Sequence, residues 1–247
     1  MPSTTRTVLR EPFPPGRSAR CFCGSGQRFK HCCGAAGRDG RVPHGIGVVP
    51  DFLTADECRA MVDHAGRCDS ERLKVFDPDR STTEKTVQKL DDRRVTEWVN
   101  LGDRRAVLDR WVKRALAEVV APAHRRDFAW YERPQLLKYQ PGGFYEGHAD
   151  SDLYLPDGRW QKTLDRDVSL LIYLNEDFTG GDLHFPHFEF TLRPKTGMLV
   201  HFPSDARYLH AAQPVDSGLR YAVVSWAAFD DEPRVKSKPP HTAVALD

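Results

Sequence analysis

The stretch YQPGGFYEGHADSD, from Tyr139 to Asp152, ends a glycine-rich turn with His148 and Asp150 only two positions apart. Side chains at positions i and i+2 of a β-strand point to the same face, so these two residues can approach one metal ion. An H-x-D pair alone is weak support, because chance produces many such pairs. The stretch therefore predicts two ligands of a metal site and requires a third further along the chain.

Histidines downstream of this stretch supply the candidates for the third ligand: His184, His187, His201 and His210. The first two flank a strand-to-turn segment, where we expect them to face solvent or to pack, and His201 lies in a strand that turns at Pro203. His210 precedes Arg220 by ten residues across the turn signal PVDSG, as on the two arms of a hairpin. We therefore select His210. Two histidines and one carboxylate form the facial triad of non-haem Fe(II) oxygenases.

From Phe128 onward, short apolar runs alternate with turn signals, as in DVSLLIYLNEDFTGGDLHFP and FEFTLRPKTGMLVHFP. Many short strands at regular spacing predict a jelly roll or a β-barrel. Upstream, Thr54 and Glu57 form a capping box at a helix start, and apolar spacing predicts a second helix from Asp103 to Val120. The sequence thus predicts a mainly β core with supporting helices.

Four of the six cysteines fall within the short segment CFCGSGQRFKHCC: Cys21, Cys23, Cys32 and Cys33. In a reducing compartment such a cluster indicates zinc before disulfides, because four thiolates form the tetrahedral site that Zn²⁺ prefers. The alternative is a flexible tail with reactive thiols. The segment resembles the SEC-C motif, C-x-C-G-S-G-x-x-[FY]-K-x-C-[CH], at every specified position. That resemblance implies a small zinc knuckle with a docking role.

Composition excludes several classes of protein. The 36 Lys and Arg residues nearly balance 35 Asp and Glu residues, so no global field attracts nucleic acid or an anionic membrane. The first twenty residues have no apolar run typical of a signal peptide, and the longest apolar stretch, Leu170–Leu174, is too short to span a bilayer. We expect a soluble, cytoplasmic protein with no membrane and no nucleic-acid partner.

Residues 45–231 resemble the 2-oxoglutarate/Fe(II)-dependent dioxygenases, and specifically the prolyl 4-hydroxylase-like branch. The segments that carry the likeness are LLKYQPGGFYEGHAD, SLLIYLNEDFTGGDLHFP, LRPKTGMLVHFP and LHAAQPVDSGLRYAVVSW. The resemblance implies a double-stranded β-helix, that is, a cupin-like jelly roll. It also implies iron ligation by His148, Asp150 and His210, and a salt link from Arg220 to the far carboxylate of 2-oxoglutarate. Tyr139 and Tyr173 match tyrosines that help to bind this cosubstrate.

The same resemblance implies a set of cofactors: Fe(II), 2-oxoglutarate, O₂ and ascorbate, beside structural Zn(II) in the knuckle. The predicted domain organisation is a flexible tail (1–16), a SEC-C motif (17–36), a linker (37–44), the dioxygenase domain (45–231) and a second flexible tail (232–247). The charged segment FDPDRSTTEKTVQKLDD is interpreted as a lid over the substrate. It lies within residues 75–95, which with residues 152–166 are expected to set specificity.

Departures from related branches narrow the predicted substrate. The nucleic-acid repair branch carries a second arginine six residues after the first, where this chain has Trp226. The related halogenases replace the carboxylate that this chain retains as Asp150. The remaining expectation is hydroxylation of a protein side chain, most naturally proline, docked partly through the knuckle. The alternatives are hydroxylation of a free amino acid or small metabolite, and a zinc-dependent adaptor with an inactive oxygenase core.

Overall fold

The computed structural model describes residues 7–16, 18–76, 80 and 87–246. Its strands are, in chain order, β1 (Val8–Leu9), β2 (Gly47–Val49), β3 (Ser70–Arg72), β4 (Val75–Phe76), β5 (Gln88–Lys89), β6 (Arg94–Val95), β7 (Glu97–Val99), β8 (Phe128–Glu132), β9 (Gln135–Tyr139), β10 (Phe144–His148), β11 (Asp152–Tyr154), β12 (Trp160–Lys162), β13 (Val168–Tyr173), β14 (Thr179–Gly180), β15 (Leu183–Phe185), β16 (Phe190–Leu192), β17 (Leu199–Pro203), β18 (His210–Ala212), β19 (Val215–Ser217), β20 (Arg220–Phe229) and β21 (Ala243–Ala245). The α-helices are α1 (Ala55–Ala65), α2 (Arg105–Ala115) and α3 (Ala121–His124).

Two antiparallel sheets face each other and form a jelly roll. The major sheet has the strand order β2-β17-β13-β20-β9-β7-β3; in addition, β8 pairs with the carboxyl-terminal end of β20, and β21 pairs with β8. The minor sheet has the order β16-β15-β18-β10-β6. The predicted mainly β jelly roll is confirmed.

Alternation along the central strands divides the hydrophobic core into two layers. On β13, Leu170 and Ile172 belong to the layer that packs against α1 and α2. Leu171 and Tyr173 belong to the layer between the two sheets. All ten residues of β20 are buried, because this strand pairs on both edges and is covered on both faces. The site-bearing interior is therefore lined by every second residue of these strands.

The helices support the outer face of the major sheet. The predicted capping box is present at α1, where the Thr54 hydroxyl accepts from the Glu57 amide and the Glu57 carboxylate accepts from the Thr54 amide. The second helix runs further than its predicted end at Val120, because a π-helical turn, Leu116–Val120, leads directly into α3. Pro122 lies in the first turn of α3, where a missing amide hydrogen costs little.

The cysteine knuckle packs against the jelly roll. Cys21, Phe29 and Cys33 are buried in the same hydrophobic cluster as the interior of the two sheets. A Cβ atom on Gly37 would lie 1.8 Å from the Glu189 carbonyl oxygen, so only glycine permits this approach of the two backbones. The apolar side chains of the knuckle are therefore covered by the jelly roll.

Both segments predicted to be flexible tails contain a strand. At the amino end, β1 pairs with β12, and Arg10 forms an ion pair with the buried Asp152. At the carboxyl end, β21 pairs with β8, and the buried Val235 donates its amide to Asp165. These short strands add to existing strand edges, which supply the hydrogen bonds that the segments could not make alone.

Parts of both loops that are predicted to set substrate specificity form paired strands. Within residues 152–166, β11 and β12 form a hairpin to which β1 adds a third strand. In the other, β4 pairs with β5, while the centre of the predicted lid, residues 77–79 and 81–86, lies outside the described residues. Among the described residues, no helix combines the length and apolar composition needed to cross a bilayer.

Candidate active site

Three side chains from the minor sheet and the turn after it meet at one end of the interior. His148 ends β10, His210 begins β18, and these two strands pair with the histidines opposite each other. The Asp150 carboxylate lies 3.7 Å from Nε2 of His148 and 3.6 Å from Nε2 of His210. Their ligand atoms all lie within 4.8 Å of one another, which suits a single ion. The structure thus brings together the three residues that the sequence selected.

Hydrogen bonds orient both imidazoles toward a common point. Nδ1 of His148 lies 2.8 Å from the Glu146 carbonyl oxygen, and Nδ1 of His210 lies 3.0 Å from the Tyr208 carbonyl oxygen. A carbonyl can only accept, so each Nδ1 carries the proton and each Nε2 keeps its lone pair for a metal. Burial, with a contribution from the neighbouring imidazole of His210, lowers the pKa of His148 to about 3. The neutral, metal-binding form of this histidine is therefore favoured.

The carboxylate of the triad is fixed from behind. The Ser169 hydroxyl donates a 2.6 Å hydrogen bond to Oδ2 of Asp150 and lies 2.7 Å from the Ser204 hydroxyl. Burial alone would raise the pKa of Asp150, but the electrostatic interactions with His210, His148 and Arg166 and the hydrogen bond from Ser169 leave this pKa below its ordinary value. This donor set of two neutral imidazoles and one ionised carboxylate fits Fe(II).

The other candidate histidines lie elsewhere. His201 is on the face of β17 opposite Phe202, where it packs against Gly47 and the ring of His124, whereas Phe202 faces His210. His184 bonds the Thr191 hydroxyl across the β15–β16 pair. His187 packs against the ring of Phe13. None of the three approaches the triad.

Arg220 lies on the interior face of β20 and is 1% exposed. Its guanidinium carbon lies 4.5 Å from the ring centre of Tyr139 and 5.3 Å from that of Tyr173. Among the described residues, Nε and Nη1 of Arg220 and the hydroxyl of Tyr173 have no hydrogen-bond partner. A buried guanidinium without an anion is costly, so this group of donors fits a carboxylate supplied by a ligand.

The triad and Arg220 line one cavity of about 1150 Å³. Tyr139, Tyr145 and Trp226 form part of its aromatic wall. Part of the rim comes from the carboxyl-terminal segment 236–242, which spans between Asp165 and the β8–β21 pair. One cavity thus brings together the three candidate metal ligands and a buried guanidinium.

Two protein-family models match parts of this chain. Residues 134–228, which carry the triad and Arg220, match the 2OG-Fe(II) oxygenase superfamily, and residues 17–35 match the SEC-C motif. Residues 134–228 are thus similar to a 2OG-Fe(II) oxygenase domain. The matched superfamily implies Fe(II), 2-oxoglutarate and O₂, and the residues in the cavity are of the kinds that these groups require.

Curated relatives of the oxygenase domain are hydroxylases. A PKHD-type hydroxylase of Synechococcus sp. is 32% identical over 126 residues, which are 46% of this chain and 54% of the relative. Human prolyl 3-hydroxylase 2 is 32% identical over 93 residues, 34% of this chain and 13% of the relative. The chain therefore spans about half the length of the first relative and a small part of the second.

Solved structures support the fold. The viral collagen prolyl hydroxylase of Paramecium bursaria Chlorella virus-1, a 2OG complex, has a TM-score of 0.52 at 20% identity over 77% of this chain and 98% of that chain. A Trichoplax adhaerens prolyl hydroxylase in complex with a hypoxia inducible factor peptide fragment has a TM-score of 0.53 at 18% identity, over 77% of this chain and 86% of that chain.

Sequence reasoning missed several charged residues of the oxygenase cavity. Arg166 forms an ion pair with Glu132, and its guanidinium carbon lies 3.7 Å from the ring centre of Trp226. Arg94 lines the cavity from β6. Both residues lie in segments expected to set specificity, Arg166 in residues 152–166 and Arg94 in residues 75–95, but Arg94 stands in the polar run DDRR, which is typical of an exposed loop. No periodic signal identified either residue.

The four predicted zinc ligands also come together. The sulfur atoms of Cys21, Cys23, Cys32 and Cys33 lie within 4.8 Å of one another, with 3.4 Å between those of Cys23 and Cys32. Zinc–sulfur bonds of roughly 2.3 Å in a tetrahedron require sulfur separations near 3.8 Å, so the cluster fits this ion. A hydrogen bond from Ser25 lowers the pKa of Cys23 to about 6, which favours a thiolate ligand.

Proposed function

We propose that this chain is an Fe(II)-dependent hydroxylase that couples the oxidative decarboxylation of 2-oxoglutarate to hydroxylation of a substrate C–H bond. The observation that carries the proposal is the shared cavity in which the triad of His148, Asp150 and His210 accompanies Arg220 with its unpartnered donors. The substrate that fits the hydroxylase relatives best is a prolyl or other side chain of a protein. The second candidate is a free amino acid or small metabolite.

Different residues of the cavity would bind the metal and the cosubstrate. His148, Asp150 and His210 would hold Fe(II), with Ser169 keeping the carboxylate in place. Bound Fe(II), with O₂ and 2-oxoglutarate, supplies the oxidant, and the cosubstrate leaves as succinate and CO₂. Arg220 would hold the far carboxylate of 2-oxoglutarate through charge-assisted hydrogen bonds. The rings of Tyr139 and Tyr173 beside it exclude water and strengthen those bonds.

The remaining cofactors and contacts extend this proposal. Zn(II) would occupy the cysteine cluster as a structural ion, and ascorbate would stimulate turnover by keeping the iron reduced. The outer rim of the knuckle is exposed from Gly24 to Arg28 and at Lys30 and His31, which supports a part in docking a protein substrate. The buried inner side of the knuckle also gives it a structural part.

Succinate release tests the proposal. Purified protein supplied with Fe(II), 2-oxoglutarate and O₂ should release succinate slowly without substrate, and His210→Ala should abolish this release. His184→Ala is the matched control, since His184 lies on the strand beside β18 but outside the triad, and it should retain the wild-type rate. Equal rates in the two variants would refute the assigned metal site. A folded wild-type protein without any succinate release would favour the zinc-dependent adaptor.

A further inference from the structure

Arg94 is a second buried arginine in the cavity wall. The residue is 9% exposed, and its guanidinium carbon lies 4.6 Å from the ring centre of Tyr145. Among the described residues, its Nε atom has no hydrogen-bond partner. A buried cation with an unused donor is costly, and a cation–π contact compensates only about 0.5–2 kcal/mol of that cost. The arrangement suits an anion that arrives with a ligand.

Arg94 lies next to the proposed metal site but apart from the pocket proposed for the cosubstrate. Arg94 pairs directly with Tyr145 across β6 and β10, and the ring of Tyr145 stacks on His148 with 3.5 Å between centres. One aromatic layer therefore separates the guanidinium from a metal ligand. Arg220 enters from β20 of the opposite sheet. The two arginines thus offer the cavity two separate places for anions.

The acidic side chains of the cavity wall already have other partners. Glu132 pairs with Arg166, and Asp152 pairs with Arg10. Asp165 accepts from the backbone amides of Val235 and Lys236, while Asp150 belongs to the triad. The ammonium-bearing Lys74 and Lys238 line the same cavity and add positive charge to it. Within the described cavity wall, no carboxylate is placed to neutralise Arg94.

We propose that Arg94 binds a carboxylate of the substrate and thereby selects acidic substrates. This proposal rests on the proposed hydroxylase function and defines its substrate class. The carboxylate has two possible sources, namely an Asp or Glu side chain adjacent to the hydroxylated residue of a peptide, or the main-chain carboxylate of a free amino acid. A charge-assisted pair of this kind changes affinity by about tenfold to a hundredfold.

Matched probes test the proposal on the full chain loaded with Fe(II) and 2-oxoglutarate. The peptide probes are blocked proline peptides with Asp or Glu beside the proline, each paired with its Asn or Gln counterpart. The small probes are free L-proline and L-prolinamide. Binding is measured without O₂ by calorimetry, and substrate-stimulated succinate release is measured with O₂. The wild type should prefer the carboxylate member of at least one pair by about tenfold or more.

Variants assign that preference to Arg94. Arg94→Gln should abolish it, Arg94→Lys should keep part of it, and Arg104→Gln, at an exposed arginine outside the cavity, should keep it whole. Preference among peptides alone, or for L-proline alone, identifies the source of the carboxylate. A wild type that releases succinate without substrate but shows no carboxylate preference overturns this inference and leaves the hydroxylase function standing. A preference that persists in Arg94→Gln also overturns it, and Arg94→Lys decides the matter where the Gln variant fails to fold.

Discussion

Replacing Arg220 with alanine perturbs the cosubstrate pocket without touching a metal ligand. The guanidinium lies beside the rings of Tyr139 and Tyr173, and its Nε and Nη1 atoms have no hydrogen-bond partner among the described residues. In the proposed complex, the guanidinium binds the far carboxylate of 2-oxoglutarate. Arg220→Ala leaves that carboxylate in a buried pocket without its counter-charge.

The magnitude follows from the number and setting of these bonds. Each charge-assisted hydrogen bond contributes about 1.5–3 kcal/mol, and truncating one partner of a desolvated charge pair typically costs about 2–5 kcal/mol. At room temperature, this range corresponds to an affinity for 2-oxoglutarate that is about 30- to 5,000-fold weaker. Arg220→Lys should weaken affinity less, because it keeps the charge but loses the two-pronged geometry.

The assay is calorimetry, in which Fe(II)-loaded protein is titrated with 2-oxoglutarate under anaerobic conditions. A separate titration measures the binding of Fe(II) alone. Arg220→Ala should lose affinity for 2-oxoglutarate within the stated range and retain Fe(II) affinity close to that of the wild type. Without ligand, the free energy of unfolding of Arg220→Ala should stay close to that of the wild type, since the change removes an uncompensated buried charge along with some packing. Unchanged affinity for 2-oxoglutarate would show that the cosubstrate is anchored elsewhere, and the roles assigned from β20 would then be wrong.

Two further predictions concern the segments that flank the oxygenase domain. Purified protein should contain about one zinc per chain, and deletion of residues 1–40 should remove it. The deletion should also lower the free energy of unfolding by several kcal/mol, since each buried aromatic side chain such as Phe29 contributes about 1.5–3 kcal/mol. A fully stable truncated protein would show that the knuckle is a separate unit. Deletion of residues 235–247 should lower the free energy of unfolding by about 2–4 kcal/mol, because Val235 leaves the core and Asp165 loses two amide donors. Urea titration measures the second effect, and a change below about 0.5 kcal/mol would mean that the segment only rests on the surface.

The short spacing of the H-x-D pair made two residues of the proposed iron site predictable, although Asp150 lies in the turn after β10 and not on the strand. The expectation that His210 and Arg220 lie on the two arms of a hairpin is wrong, because β18 belongs to the minor sheet and β20 to the major sheet. Strand alternation explains why His201 is not part of the site. On β17, Phe202 faces His210, so its neighbour His201 must face the helices.

Other features depend on contacts that no local pattern encodes. Arg94 is buried because Tyr145 lies opposite it on the paired strand, whereas the three residues before it in the sequence, DDR, are all charged. The segment ending in β21 has little apolar periodicity, and its strand forms because β8 leaves an edge open. In both cases the partner is more than ten residues away along the chain, so propensity and periodicity could not reveal the contact.

The contacts of Tyr208 connect the knuckle to the proposed iron site. Its ring packs against Phe22 of the knuckle and Phe188, with ring centres 6.3 and 5.4 Å away. Its hydroxyl donates to the His44 carbonyl, beside Gly45, where a Cβ atom would lie 2.0 Å from the hydroxyl oxygen. Its own carbonyl accepts from Nδ1 of His210 and so sets the direction of the metal-binding Nε2. Tyr208 is therefore held by the amino-terminal segment on one side and orients a histidine of the proposed iron site on the other. Packing of the knuckle against the jelly roll thus helps to position a proposed metal ligand.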